Sequence, residues 1–324
     1  MEKKFKVTAG FDGYVDRIMR VVRNYDENKK DYFENILQFS SALGLMAGKS
    51  GDLELVTEDV RLGGNAPLTA YALAKLGASV TLVGTTDHDV FKNHHHHNVT
   101  KISYGAPGDT LALEFDDGKI MMADVTDMCR SMKAVISNSK MMREITDAYM
   151  SSDLCVFANW SCLPETHDLW EAILAKIKQR RDNPIIFMDL ADFTKRSVCD
   201  VKKLVGLIKS LEGFEIYLGL NEKETFMLAE RLGFMKSDIQ EAAAYIYKTA
   251  GCSVITHGVG YCVYADGLVQ LKLDAKVAKS PKILTGAGDN FNSAWCYAIM
   301  QEFDKLKAME FANQFVYDFV TGKE

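Results

Sequence analysis

One stretch holds the groups that chemistry on a phosphate requires: Thr285-Gly286-Ala287-Gly288-Asp289, continuing into Asn290-Phe291-Asn292-Ser293-Ala294-Trp295. Small residues precede one carboxylate and a helix-forming run follows it, which predicts a tight turn feeding a helix N-terminus. Such a turn aims the amides of Gly286, Ala287 and Gly288 outward, with the positive end of the helix dipole behind them. That suits a phosphate whose charge grows during transfer. The same anion would repel Asp289, and two roles account for a carboxylate there: general base on an attacking hydroxyl, or cap of the first helical turn. The glycine spacing leaves both open. The Gly-Lys-Ser/Thr ending of a Walker A loop is missing, which argues against a P-loop nucleotide hydrolase.

Other polar residues fall where open α/β sheets collect ligands, just after strand-like runs. Asp12 and Asp16 follow the apolar run Phe5 to Phe11, and can accept from paired hydroxyls of a polyol or stand as solvated turn residues. Gly63-Gly64-Asn65 opens a helical run, Leu68 to Leu76, that Gly77 closes; the glycines permit close backbone approach, and Asn65 both donates and accepts. Asn221 and Glu224 are spaced as a capping box, the stronger reading of that pair from spacing alone. Asn159, Asp189 and Asp192 also follow strand-like runs, and His257-Gly258-Val259-Gly260 connects two strands, with His257 read as a loop or packing residue. The four histidines His94 to His97 share no face of a helix or strand, so they predict a solvated loop rather than a preformed metal site.

The elements that must position these residues follow from periodicity. Strand-like 154–158, 185–190 and 215–220 alternate with helical 164–180, 198–211 and 222–232, the pattern of a doubly wound, mostly parallel sheet flanked by helices. Thr110 to Phe115 and Lys119 to Met122, joined by Asp116-Asp117-Gly118, predict a hairpin that interrupts this series. We expect a single domain over 1–324 with a small β-sheet lid formed from about 11–22 and 98–125. So thin a sheet cannot bury two apolar faces alone; one face covers the substrate or meets another subunit, which makes a homodimer through the lid the second reading. Residues 23–60, with an apolar helical run from Phe33 to Met46, receive no role.

A chain of 324 residues accommodates one large α/β domain with an appendage. A net charge of −6 with no basic block argues against nucleic acid and toward a small-molecule partner. Seven scattered cysteines read as reduced thiols of a cytosolic protein. Met1-Glu2-Lys3-Lys4-Phe5 shows no apolar leader and no stretch is apolar enough to span a bilayer, so the expectation is a cytoplasmic protein away from membranes.

Taken in order, the N-terminal strand ending in Asp, the Gly-Gly pair opening a helix, the hairpin, Asn221-x-x-Glu224, Thr256-x-Gly258-x-Gly260, and Gly286-Ala287-Gly288-Asp289 followed by x-Phe-Asn resemble the ribokinase-like (PfkB) carbohydrate kinase family over essentially the whole chain. The resemblance implies an ATP- and Mg²⁺-dependent kinase acting on a hydroxyl of a sugar or sugar-like molecule. It makes Asp289 the catalytic base and Gly286 to Gly288 the anion hole. Asn221 and Glu224 act near the phosphates and Mg²⁺, Glu224 indirectly; Thr256, Gly258 and Gly260 line the nucleotide; Asp16, Gly64 and Asn65 hold the substrate. Ile283-Leu284 stand where members with a monovalent-cation site carry Asp-Thr, and Leu68 where many place a polar sugar contact. A nucleoside or vitamin-precursor kinase is the alternative acceptor class, with Phe11, Tyr14 and Trp160 as stacking wall. A non-catalytic sugar or nucleotide sensor is the alternative outside enzymes.

Overall fold

The computed structural model describes residues 4–26, 29–235, 237–279, 281–282 and 285–323. Ile283 and Leu284, and with them the monovalent-cation comparison, lie outside the described residues. The N-terminal part runs β1 (Lys6–Gly10), β2 (Tyr14–Asp26), β3 (Lys29–Tyr32), α1 (Ile36–Leu45), β4 (Leu55–Gly63), α2 (Asn65–Lys75), β5 (Ser79–Gly84), α3 (Asp89–Asn93), β6 (Val99–Ser103), β7 (Gly108–Phe115) and β8 (Gly118–Asp124). There follow α4 (Thr126–Ser137), α5 (Ser139–Met150), β9 (Leu154–Phe157), α6 (Thr166–Ile177), β10 (Ile185–Asp189), α7 (Val198–Lys209), β11 (Ile216–Asn221) and α8 (Glu222–Arg231). The chain closes with α9 (Ile239–Ala250), β12 (Ser253–Gly258), β13 (Tyr261–Ala265), β14 (Gln270–Asp274), α10 (Ala287–Met300) and α11 (Lys305–Thr321).

Nine strands form the large sheet in the order β14-β13-β12-β11-β10-β9-β1-β5-β6, parallel from β12 to β6 and antiparallel at β13 and β14. Its central strands are apolar throughout, as strands covered on both faces must be: all four residues of β9 are buried. Helices α2, α10 and α11 bury one face around Leu73, Trp295 and Met309; the other is buried by α4 to α9 around Trp170, Ile173, Leu204 and Ile246. The carboxyl ends of β1, β10, β11 and β12 thus open on one rim, which carries Asp12, Asp189, Asn221 and Gly258. Among the described residues no helix is long and apolar enough to cross a membrane.

The small sheet consists of β3, β2, β7 and β8, with β4 paired to β2. Two boundaries differ from the sequence reading. Strand β6, placed with the lid by its number, extends the large sheet beside β5; β3 and β4, from the segment without a role, join the lid instead. Because strand residues alternate between faces, Thr110 points to one side of the lid while Leu111, Leu113 and Phe115 point to the other. That second side is covered from within the chain: Phe39 of α1 packs on Phe33 and Phe115, with ring centroids 5.5 and 5.4 Å away.

Candidate active site

The glycine turn opens α10 as the spacing predicts. Gly286 is the N-cap, in the left-handed conformation at φ 87°, and no side chain caps the helix. Asp289 sits in the first turn of the helix, three residues after this cap. Its carboxylate accepts from Asn65 Nδ2 at 3.0 Å, which joins the two ends of the chain. Burial raises the Asp289 carboxyl well above the usual range, the carboxylates of Asp189 and Asp12 push further the same way, and the Asn65 amide opposes them. His257, on β12, lies under the turn: a Cβ on Gly288 would come within 2.9 Å of its ring. Burial lowers His257 to about 4, so the imidazole is neutral at physiological pH and supports the turn by packing, with Phe291 5.4 Å away.

The turn is a wall shared by two cavities. On one side lies a pocket of about 280 Å³, lined by Asp16, Gly64, Asn65, Thr110, Asn159 and Asp289 and by the less polar Tyr14, Leu68, Met121, Ala123, Thr285 and Gly286. On the other lies a cavity of about 690 Å³. Ala287 and Gly288 face it, together with Gly258 and Gly260 of the β12–β13 connection, Asn221 at the end of β11, and an apolar wall of Phe291, Val316, Tyr317 and Val320. Gly260 has a structural reason to be glycine: its φ is 84°, and a Cβ would meet Val277 at 2.9 Å.

Asp16, Gly64, Asn65 and Asp289 thus come together in the smaller pocket, and Asn221, Gly258, Gly260, Ala287 and Gly288 around the larger. Asp16 is buried, hydrogen-bonded to Thr110, and the Arg61 and Lys119 charges partly offset the rise that burial imposes on its pKa. Gly63 exists to admit it, since a Cβ there would stand 2.2 Å from Asp16 Oδ2. Three predicted site residues, Asp12, Thr256 and Glu224, do not reach a cavity. Asp12 is buried beneath the pocket, where its oxygens accept from the amides of Asn65 and Ala66 at 2.9 and 2.8 Å and from Asn159 Nδ2 at 2.7 Å. It satisfies the otherwise open start of α2 and holds two pocket residues in place. Thr256 is fully buried, its hydroxyl paired with that of Thr225 at 2.9 Å, so it ties β12 to α8. Phe11 and Trp160 are likewise core, Phe11 stacked on Tyr149 and Trp160 beneath Arg196, which leaves Tyr14 as the aromatic wall.

Asn221 and Glu224 form the full capping box: Asn221 Oδ1 accepts from the Glu224 amide, and Glu224 accepts from the Asn221 amide, each at 2.9 Å. Glu224 is buried beside Asp189, and burial and that neighbour both raise its carboxyl. Asp189 accepts from Asn292 Nδ2 at 3.0 Å, and Asn292 Oδ1, buried, has no partner among the described residues. Oxygen donors of this kind suit a hard divalent cation. Nothing in the sequence singles out the wall from α11: spacing of 313, 316, 317 and 320 reads as an ordinary buried helix face, and only the fold turns it toward a cavity.

The sequence profile of the prokaryotic ketohexokinase family matches residues 3–323. Among curated proteins, a ketohexokinase of Haloferax volcanii is 23% identical over 97% of this chain and 86% of its own. A 5-dehydro-2-deoxygluconokinase of Clostridium botulinum strain Alaska E43 is also 23% identical, over 78% of this chain and 76% of its own. The fold matches Arabidopsis thaliana ribokinase, solved with ribose and ATP, at a TM-score of 0.68 and 16% identity over 99% of this chain and 94% of that one.

Proposed function

Because this chain belongs to the prokaryotic ketohexokinase family of ribokinase-like carbohydrate kinases, which phosphorylate a sugar hydroxyl, we propose that its acceptor is a neutral ketohexose, with Asp289 as general base and the Gly286–Gly288 turn as anion hole. The observation that carries this reading is the shared wall: Asp289 faces the smaller pocket while the Ala287 and Gly288 backbone faces the larger. A sugar in the first and ATP in the second meet across that turn. Asp16, Asn65, Asn159 and Thr110 offer hydroxyl partners, and Leu68, Met121 and Ala123 an apolar surface for the ring. Asn65 orients the Asp289 carboxylate, which takes the hydroxyl proton as that oxygen attacks the γ-phosphorus in line. The turn amides and the α10 dipole stabilise the charge that develops.

Mg²⁺, when bound, neutralises charge on the nucleotide phosphates, and Asp189, Asn292 Oδ1 and, indirectly, Glu224 are the oxygen donors that would hold it. The choice of a neutral acceptor follows from charge. Among the described residues lining the smaller pocket there are two carboxylates, Asp16 and Asp289, and no basic side chain. An acidic or phosphorylated sugar would bring a second anion against them with no cation in the lining to compensate.

An ADP-release assay on the full chain with fructose, 5-dehydro-2-deoxygluconate, fructose 6-phosphate and inosine tests this. We expect fructose to be turned over with the highest kcat/KM. Preference for the sugar acid or the phosphosugar overturns the charge argument, and preference for inosine moves the chain to the nucleoside kinases.

A further inference from the structure

Lys119 lies on lid strand β8, and its ammonium donates a hydrogen bond to Thr285 Oγ1, the residue that opens the phosphate-binding turn. The bond closes a loop of 166 residues in sequence and ties the lid directly to the turn. Thr285 lines the sugar pocket and also an adjoining cleft of about 590 Å³, and Lys119 reaches it from the cleft, next to Arg61 and Lys282. Lys119 is not in the pocket lining, so it is no sugar ligand as it stands. A lysine at the end of a hairpin would ordinarily extend into water. Here the side chain, though exposed, ends on the Thr285 hydroxyl; partial burial and the Arg61 charge lower its pKa, and Asp16 and Glu114 partly restore it.

Five residues of the sugar pocket, Tyr14, Asp16, Thr110, Met121 and Ala123, ride on lid strands, whereas Asp289 rides on α10. Their separation from the base is fixed only as far as the lid is fixed. We propose that Lys119 is a positioning residue, a cationic latch that holds the lid to the Thr285–Gly288 turn and so sets the distance between the sugar and its base. The proposal rests on the carbohydrate kinase reading of that pocket. The charge matters because a hydrogen bond from a charged donor is stronger than a neutral one and still reforms when the lid reopens for product release.

The test compares Lys119→Gln, Lys119→Arg, Thr285→Val and the double variant Lys119→Gln/Thr285→Val in the full chain. Lys119→Gln is expected to raise the sugar KM about tenfold, the effect of losing one charged hydrogen bond, with a smaller change in kcat, and Lys119→Arg to recover most of it. Amide hydrogen exchange over 108–124 reads the lid without turnover. It should accelerate equally in Lys119→Gln and Thr285→Val, and no further in the double variant. Unchanged exchange in both single variants, or additive acceleration in the double, overturns the latch. A wild type that leaves fructose unphosphorylated defeats the acceptor assignment, and the exchange result still decides the latch.

Discussion

At the scale of single residues, the proposed role of Asp289 as base sets stability against function. A carboxylate whose pKa is raised in the folded state binds protons that the unfolded chain has already released, so between the ordinary carboxylate range and the raised value, stability falls as pH rises. Burial and the neighbouring carboxylates of Asp189 and Asp12 thus make the ionised form of Asp289 destabilising. Asp289→Asn should therefore raise Tm, by roughly 2 °C or more, while kcat falls by about 10² to 10⁴. Calorimetry and the ADP assay on one preparation decide it; a variant with full kcat, or one that melts lower, contradicts the assignment. The residue stood out as a candidate because its signal is local, a carboxylate directly after Gly-Ala-Gly. Asn65 was legible as a candidate, but not its bond to Asp289, since nothing in the sequence says which distant residue will face it.

Elements explain why Asp12 was read wrongly in role though rightly in place. The carboxyl end of β1 does lie on the functional rim, but α2 starts directly above it, and Gly64, at φ 103° with no side-chain cap, leaves the α2 amides to be satisfied from another strand. Asp12 supplies both acceptors and also fixes Asn159. Asp12→Ala would strand two buried amides and one side-chain donor, so we expect a loss of about 2 kcal/mol or more in denaturant unfolding, with a raised sugar KM as Asn65 and Asn159 loosen. A variant of unchanged stability would show that water replaces the carboxylate at no cost. Thr256 follows the same logic, since a strand residue's face depends on which helix covers it, and here α8 does. Helical and strand periods announced most elements of the βα series, whereas β4 gave little sign of joining the lid, because β3 and α1 separate it from its partner β2, and nothing in the sequence laid α1 over that sheet.

For the molecule as a whole, the question left by the sequence was what covers the second face of the lid. The first face looks into the smaller pocket through Thr110, Met121 and Ala123. Leu113, Phe115 and Val21 occupy the second, and α1 lies on them with Phe39 at the centre, so the segment between β2 and β4 takes the place a partner's lid would fill. A homodimer through that face would have to displace Phe39, which is 4% exposed, and leave Phe33 and Phe115 to be reburied by the partner. We therefore expect the chain to sediment as a single species of 36.2 kDa at micromolar concentration. Phe39→Ala should cost about 3 kcal/mol, the usual effect of removing a buried aromatic ring, and should accelerate exchange across β7 while leaving the large sheet unaffected. A species of twice the mass in the wild type, dissociated by Phe39→Ala, would place α1 in an intersubunit contact and refute the intramolecular cover; a monomer whose lid loosens on losing Phe39 would establish it.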